Sequence, residues 1–286
     1  MRDNYTMKLP EKYINRIKEQ LGEEAYSYFA CFDEERYQGL RVNTLKISVE
    51  DFLKISPFEL ERIPWTDNGF YFDADKYTPS KHPYYSAGLY YLQEPSAMSP
   101  ASLLPIKKGD KVLDMCAAPG GKSTELGAKL NSTGVLYSND VSQSRARALL
   151  KNIELFGIKN SVVISEDPSR LLNKMKGYFD KILIDAPCSG EGMFRKENSI
   201  IKNWEQTGCG YYSEIQKDII VKGAKLLREG GIMLYSTCTF SPLEDEESIL
   251  HLLRECPYME LIELPMYDGF DIGHKEWVSD EYNDLG

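Results

Sequence analysis

The run Asp114-Met115-Cys116-Ala117-Ala118-Pro119-Gly120-Gly121-Lys122 lies between an apolar stretch, Val112–Met115, that reads as a buried strand, and a helical stretch, Lys122–Leu130. Gly120 and Gly121 permit positive φ and close backbone approach to a ligand, and Pro119 stiffens the bend. The helix that begins there offers unsatisfied N–H groups. Outward from this turn the chain keeps one rhythm. Strands are expected at Val112–Met115, Val135–Asn139, Val162–Ser165, Ile182–Asp185, Ile232–Ser236 and Met259–Leu264. Helices are expected between them at Lys122–Leu130, Ser142–Phe156, Ser169–Met175, Tyr212–Arg228 and Leu243–Cys256. Apolar strands alternating with amphipathic helices predict an α/β fold, a Rossmann-like, doubly wound parallel sheet. Ligands of such sheets bind at the carboxyl ends of the strands, where the strand order reverses.

Residues 1–92 read as a small N-terminal α+β domain and residues 93–286 as the main one. Glu11–Leu21 has helical spacing and is stopped by Gly22, Glu24–Phe32 reads as a second helix, and Leu40–Ile47 alternates as a strand. Ser48 can cap a helix over Val49–Ile55. The aromatic stretch through Trp65, Phe70, Tyr71, Phe72, Tyr77, Tyr84 and Tyr85 does not alternate. It is expected to pack the small domain rather than to present a stacking platform for bases.

Bulk properties exclude several classes. The chain has 286 residues and six cysteines, none spaced C-x-x-C, with only three histidines, so neither a zinc site nor a secreted disulfide scaffold is expected. Cys31, Cys209 and Cys256 read as small buried hydrophobes. No apolar run approaches the ~20 residues of a membrane span, and Met1–Thr6 lacks the apolar stretch of a signal peptide. A cytoplasmic protein is expected. The net charge of −10 is unevenly placed: residues 243–286 hold 13 acids and 2 bases, so the first 242 residues are near neutral at +1 and can carry basic patches.

The glycine turn suits two ligand classes, a phosphate or the amino-acid tail of S-adenosylmethionine. Gly121-Lys122-Ser123 matches the end of a P-loop, and Ile182–Asp185 resembles a strand that delivers a magnesium-binding aspartate, which would make the chain an ATPase. Position 116, however, is Cys where the first P-loop glycine belongs, and the turn is too short to wrap a phosphate. The methyl-donor reading accounts for more. Asp140, Asp167 and Asp185 end three successive strands, where acids can meet ribose hydroxyls, the adenine edge and the reacting centre. Alone, Asp140 and Asp167 each read as a helix cap. Two thiols, Cys188 in Asp185-Ala186-Pro187-Cys188 and Cys238 in Ser236-Thr237-Cys238-Thr239, also stand at strand ends and suggest covalent chemistry on a ring.

Cys116–Lys122 (CAAPGGK), Asp185–Gly190 (DAPCSG) and Ser236–Thr239 (STCT) together resemble the RNA cytosine-C5 methyltransferases of the NOL1/NOP2/Sun family, and within it the RsmF-like bacterial 16S rRNA branch. Gln93–Ser96 and Arg41–Thr44 resemble further segments of that family, so the match runs from about residue 35 to about residue 256. The resemblance implies a class I methyltransferase fold and S-adenosylmethionine as cofactor. Cys116, Ala117, Ala118, Pro119, Gly120, Gly121, Lys122, Asp140, Asp167 and Asp185 would bind it. It implies Cys238 as nucleophile and Cys188 as the thiol that assists release. DNA cytosine methyltransferases instead use the Pro-Cys thiol, and only the resemblance decides between the two. Asp185 is the candidate to hold or protonate N3 of the base. RNA, from the ribosome or its small subunit, is the expected partner, with no DNA, no membrane, no metal and a monomeric chain. The competing class is a catalytically silent RNA-binding module. Arg41, Arg195 and Lys196 are candidate phosphate contacts. The family's sheet has seven strands, the last paired antiparallel with the sixth. Only 22 residues follow Met259–Leu264 here, so a truncated chain is expected, with RNA binding affected more than the cofactor site.

Overall fold

The computed structural model describes residues 7–285; Met1–Thr6, the stretch read above for a signal peptide, lies outside them. The first helices are α1 (Glu11–Leu21), which buries Tyr13 and Ile17, and α2 (Ala25–Ala30). A four-stranded antiparallel sheet follows. Its strands are β1 (Gln38–Val42), β2 (Glu61–Arg62), β3 (Gly69–Phe72) and β4 (Tyr90–Leu92), in the order β2-β3-β1-β4. Helix α3 (Val49–Ile55) begins where Ser48 accepts from the Asp51 N–H, the cap its sequence promised, and the short α4 (Pro83–Ser86) precedes β4. Strand β1 stops at Val42 rather than continuing to Ile47. Asn43 turns the chain there, its Nδ2 donating to the carbonyls of Gly88 and Phe156.

Helix α5 (Pro95–Leu103) leads into the parallel sheet. This runs through β5 (Lys111–Asp114), α6 (Gly121–Leu130), β6 (Val135–Asn139), α7 (Gln143–Phe156), β7 (Ser161–Ile164), α8 (Pro168–Met175), β8 (Phe179–Asp185), α9 (Asn198–Leu226, kinked at Gly208), β9 (Leu227–Ser236) and α10 (Glu246–Glu255). The order β7-β6-β5-β8-β9, all parallel, is the expected doubly wound topology. Order reverses at β5, so the crevice that takes ligands opens at its carboxyl end, toward β8. One apolar core, with Leu149, Ile153 and Phe156 of α7, covers one face, and another, with Ile219, Ile220 and Ala224 of α9, covers the other. No helix among the described residues is long and apolar enough to cross a membrane.

One expectation fails. Met259–Leu264 forms no strand: Leu261, Ile262 and Leu264 are exposed, and β9 pairs only with β8 among the described strands. An apolar segment becomes a strand only by pairing its N–H and C=O groups, and here the Met259 N–H turns back to the Cys256 carbonyl. Helices α1 and α2 pack not on the antiparallel sheet but on Phe194, Ile201, Trp204 and Cys209, downstream of β8. The antiparallel sheet is fixed to α6 instead by a buried ion pair, Arg41 Nε to Glu125 Oε2 at 2.9 Å. Arg41 Nη2 also donates to Thr124 Oγ1 at 2.7 Å, and Asn68 Nδ2 to Glu125 at 3.0 Å.

Candidate active site

Strand β5 delivers Asp114, and the glycine turn follows. The Ala117 N–H reaches the Asn139 carbonyl on β6 at 2.8 Å, and Arg145 Nη2 and Asn152 Nδ2 of α7 hold the carbonyls of Ala118 and Pro119. The Ala118–Pro119 peptide is cis. Gly120 turns into α6 at φ 116°, and a Cβ there would stand 3.1 Å from Leu149 Cδ1. Only glycine fits that backbone angle without strain, in agreement with the sequence reading.

Asp114, passed over in the sequence as the end of a strand, is fully buried. Ser123 Oγ donates to its Oδ2 at 2.7 Å, and Oδ1 has no hydrogen-bond partner among the described residues. Burial raises its pKa to about 7 against the Ser123 hydrogen bond, and Asp185 adds to the rise. Asp140 is buried at the end of β6; its Oδ1 accepts from the Ser142 N–H at 2.9 Å and its Oδ2 lies 3.3 Å from Arg145 Nη2. Asp167 is exposed and caps α8 through the Ser169 N–H at 2.8 Å, a hydrogen bond that lowers its pKa. Among the described residues it shares no hydrogen-bond partner with Asp140 or Asp185. Cys116 is a half-buried thiol whose pKa is raised by desolvation, which leaves it unreactive.

Asp185 is the junction. Lys122 Nζ, in the first turn of α6, lies 2.7 Å from its Oδ2, and Ser236 Oγ on β9 donates to its Oδ1 at 3.0 Å. Three residues on, Cys188 Sγ lies 3.2 Å from Cys238 Sγ, and the Cys238 N–H points at Cys188 Sγ from 3.4 Å. Both thiols are free. Donation from Cys188 lowers the Cys238 pKa, opposed by burial and by Asp185 and helped by Lys122. The same hydrogen bond and burial push Cys188 up. Cys238 is the more exposed of the two and carries the thiolate more readily.

Against the family models, residues 101–282 match "16S rRNA methyltransferase RsmB/F" and residues 9–95 match "N-terminal domain of 16S rRNA methyltransferase RsmF". The chain belongs to the RsmB/F methyltransferase family. It is similar to the ribosomal RNA small subunit methyltransferase F of Vibrio parahaemolyticus, 38% identical over 273 residues, 91% of this chain and 56% of that protein. The Photobacterium profundum protein of the same name is 34% identical over 96% of this chain and 60% of its own length. The chain thus spans little more than half the length of the curated relatives it matches. Among solved structures, a methyltransferase homolog from Pyrococcus horikoshii superposes with a TM-score of 0.74 at 33% identity, covering 86% of this chain and 78% of that one.

In this RsmB/F chain the P-loop reading ends, and its lysine is committed to Asp185. Arg41 is corrected as well: it is buried against Glu125 and cannot reach a phosphate in solvent. Arg195 is half-exposed and donates to the Glu34 carbonyl, and Lys196 is exposed. Cys209 and Cys256 are buried as expected, but Cys31 is exposed. The sequence reading also missed two buried carboxylates that hold the cysteine loops. Glu191 accepts from Trp204 Nε1 at 2.9 Å, from Arg16 Nη2 at 2.6 Å and from the Phe240 N–H at 3.2 Å. Glu244 accepts from the Ser189 N–H at 2.8 Å and from Gln216 Nε2 at 3.0 Å. Their one signal was position, Glu191 three residues past Cys188 and Glu244 six past Cys238.

Proposed function

We propose that this chain methylates C5 of a cytosine in RNA, in 16S rRNA of the small ribosomal subunit, by way of a covalent bond between Cys238 and C6 of the base. One observation carries the reading: two free thiols 3.2 Å apart beside the Lys122–Asp185 pair. S-adenosylmethionine, the methyl donor, supplies an electrophilic methyl group when bound. The residues fit it. Asp114 Oδ1 is a buried acceptor without a protein donor, suited to the α-ammonium of an amino acid. The turn Cys116–Lys122 offers backbone N–H groups, Asp140 would hold the ribose hydroxyls, and Asp167 would meet the adenine edge. Asp185 borders the reacting centre. In this reading residues 1–92 guide RNA and residues 93–286 carry the chemistry.

C5 of cytosine is a weak nucleophile. The Cys238 thiolate adds to C6, a proton held at N3 by Asp185 takes up the displaced charge, and the ring becomes an enamine whose C5 can accept the methyl group. Loss of the C5 proton then lets the C6–S bond break, its electron pair returning to Cys238 Sγ. Cys188 stands beside the same sulfur and assists that release. The base must be unpaired or flipped to reach these thiols. The test is a denaturing gel with 30S subunits and labelled cofactor. Cys238→Ala is expected to abolish both methylation and the RNA adduct. An adduct that accumulates in Cys238→Ala would reverse the two cysteine roles.

A further inference from the structure

A cavity of about 480 Å³ opens beside the cysteines, between the edges of β1 and β3, the start of α5 and the segment 192–196 that follows Cys188. Its aromatic side is Tyr37 and Tyr71, a tilted pair with ring centroids 5.6 Å apart. Tyr37 is 78% exposed, so its ring does not serve the core. Trp65 forms the wall behind them, held by Nε1 donation to the Pro95 carbonyl at 2.8 Å and by packing on Phe270. The lining also carries Arg36, Arg195 and Lys196. Three cations with Glu94 as the one acid among the lining residues form a basic site on a chain whose net charge is −10. One hydrogen bond joins the groove's lining to the loop that carries Cys238. Gly192 lines it, and the Gly192 N–H donates to the carbonyl of Cys238 itself at 2.9 Å.

We propose that this groove binds single-stranded RNA flanking the target cytosine, with a base on Tyr37 and Tyr71 and phosphates along Arg36, Arg195 and Lys196. The inference rests on the RNA methyltransferase reading and deepens it. An exposed tyrosine paired with a half-buried one, beside three cations, matches the two recurring parts of a nucleotide, a flat base and a charged phosphate. A duplex offers phosphates but hides its base faces, so the stacking pair selects unpaired strand. Because Gly192 in the groove's lining is hydrogen-bonded to the Cys238 carbonyl, the strand that enters the groove is the strand carrying the reacting base. The aromatic stretch expected only to pack the small domain therefore divides: Phe70 is core, and Tyr71 with Tyr37 faces outward.

The test uses the full chain and a fluorescein-labelled 12-nucleotide RNA with one central cytosine, read by anisotropy. Tyr37→Ala is expected to weaken binding about 5- to 100-fold, while Tyr37→Phe, which keeps the ring, stays within about twofold. Lys196→Gln should reduce the slope of log K against log salt by roughly 0.7, one phosphate contact on a single strand. S-adenosylmethionine affinity, by calorimetry, should be unchanged in all three. Wild-type affinity in Tyr37→Ala, loss in Tyr37→Phe as large as in Tyr37→Ala, equal affinity for the 12-mer as a duplex, or no measurable binding of the 12-mer would each overturn the groove. Methylation that persists with unaltered RNA affinity in Tyr37→Ala sinks the groove alone. Groove-dependent binding without any methylation sinks the proposed activity alone.

Discussion

Replacing Arg41 by methionine separates a structural from an RNA-binding role for this residue. Its guanidinium is buried, with Nε 2.9 Å from Glu125 Oε2 and Nη2 2.7 Å from Thr124 Oγ1. Burial pushes the Arg41 pKa down, and Glu125 opposes that shift. Methionine fills much of the volume but leaves Glu125 buried with the neutral Asn68 amide as a hydrogen-bond donor. Breaking one partner of such a pair costs about 3–5 kcal/mol, because the surviving charge stays desolvated. Against a total stability of about 5–15 kcal/mol this is a large share. At about 2–4 °C per kcal/mol for a chain of this size, the melting temperature should fall on the order of 10 °C. The double variant Arg41→Met, Glu125→Leu removes both charges and should recover most of the loss. Thermal melts followed by circular dichroism at pH 7, with RNA affinity measured below the transition, decide the matter. A single variant that melts within 2 °C of wild type but binds RNA poorly would refute the structural role and restore the phosphate contact expected from sequence.

Three further outcomes are expected. Asp140→Ala should lose two charge-assisted hydrogen bonds to ribose, roughly 1.5–3 kcal/mol each, read by calorimetry with S-adenosylmethionine; unchanged affinity would remove Asp140 from the cofactor site. Cys188→Ala should still form the RNA adduct but release it slowly. It should also move the acid limb of adduct formation to higher pH, since the hydrogen bond that lowers the Cys238 pKa is gone; an unmoved limb would sever the two thiols functionally. The Asp114 carboxyl has a pKa of about 7 in the fold against an ordinary 3.8, so the folded state holds its proton more tightly than the unfolded one. Its stabilising contribution is present below about pH 4 and is lost as pH rises toward 7. Asp114→Asn should therefore gain urea stability relative to wild type between pH 5 and pH 8, and a pH-independent difference would contradict the assignment.

The periodic part of the fold was legible because each strand of the parallel sheet is a short apolar run and each helix has a start or stop signal, as at Ser142 and Gly157 around α7. Met259–Leu264 misled because an apolar run can mark a strand, whereas pairing depends on a neighbour that no local pattern encodes. In the site, the glycine turn and Asp185 with the two thiols were readable from type and position. The Lys122–Asp185 pair was not, since it joins residues 63 positions apart. Arg41 shows the converse error. A basic residue in a motif suggests a phosphate, yet its fate was set by Glu125, 84 residues away.

The least legible feature is the support beneath the two thiols. Cys188 and Cys238 sit on separate loops after β8 and β9, and the proposed attack at C6 followed by release would demand that their sulfurs hold one geometry. Hydrogen bonds cross between those loops: Gly192 N–H to the Cys238 carbonyl at 2.9 Å, and Ser189 Oγ with Thr239 Oγ1 at 2.8 Å. Glu191 binds the Phe240 N–H of the second loop while sitting on the first, and Glu244 on the second binds the Ser189 N–H of the first. Each carboxylate thus bridges both loops, in opposite senses. The clamp is closed from outside by Arg16 of α1, whose guanidinium meets Glu191 at 2.6 Å. That contact explains why α1 and α2 pack downstream of β8 and not on the neighbouring antiparallel sheet. A buried carboxylate needs a charge partner, and here the N-terminal helix supplies it. Residues 11–30, read from sequence as part of the N-terminal domain, are joined in this way to the two cysteine loops.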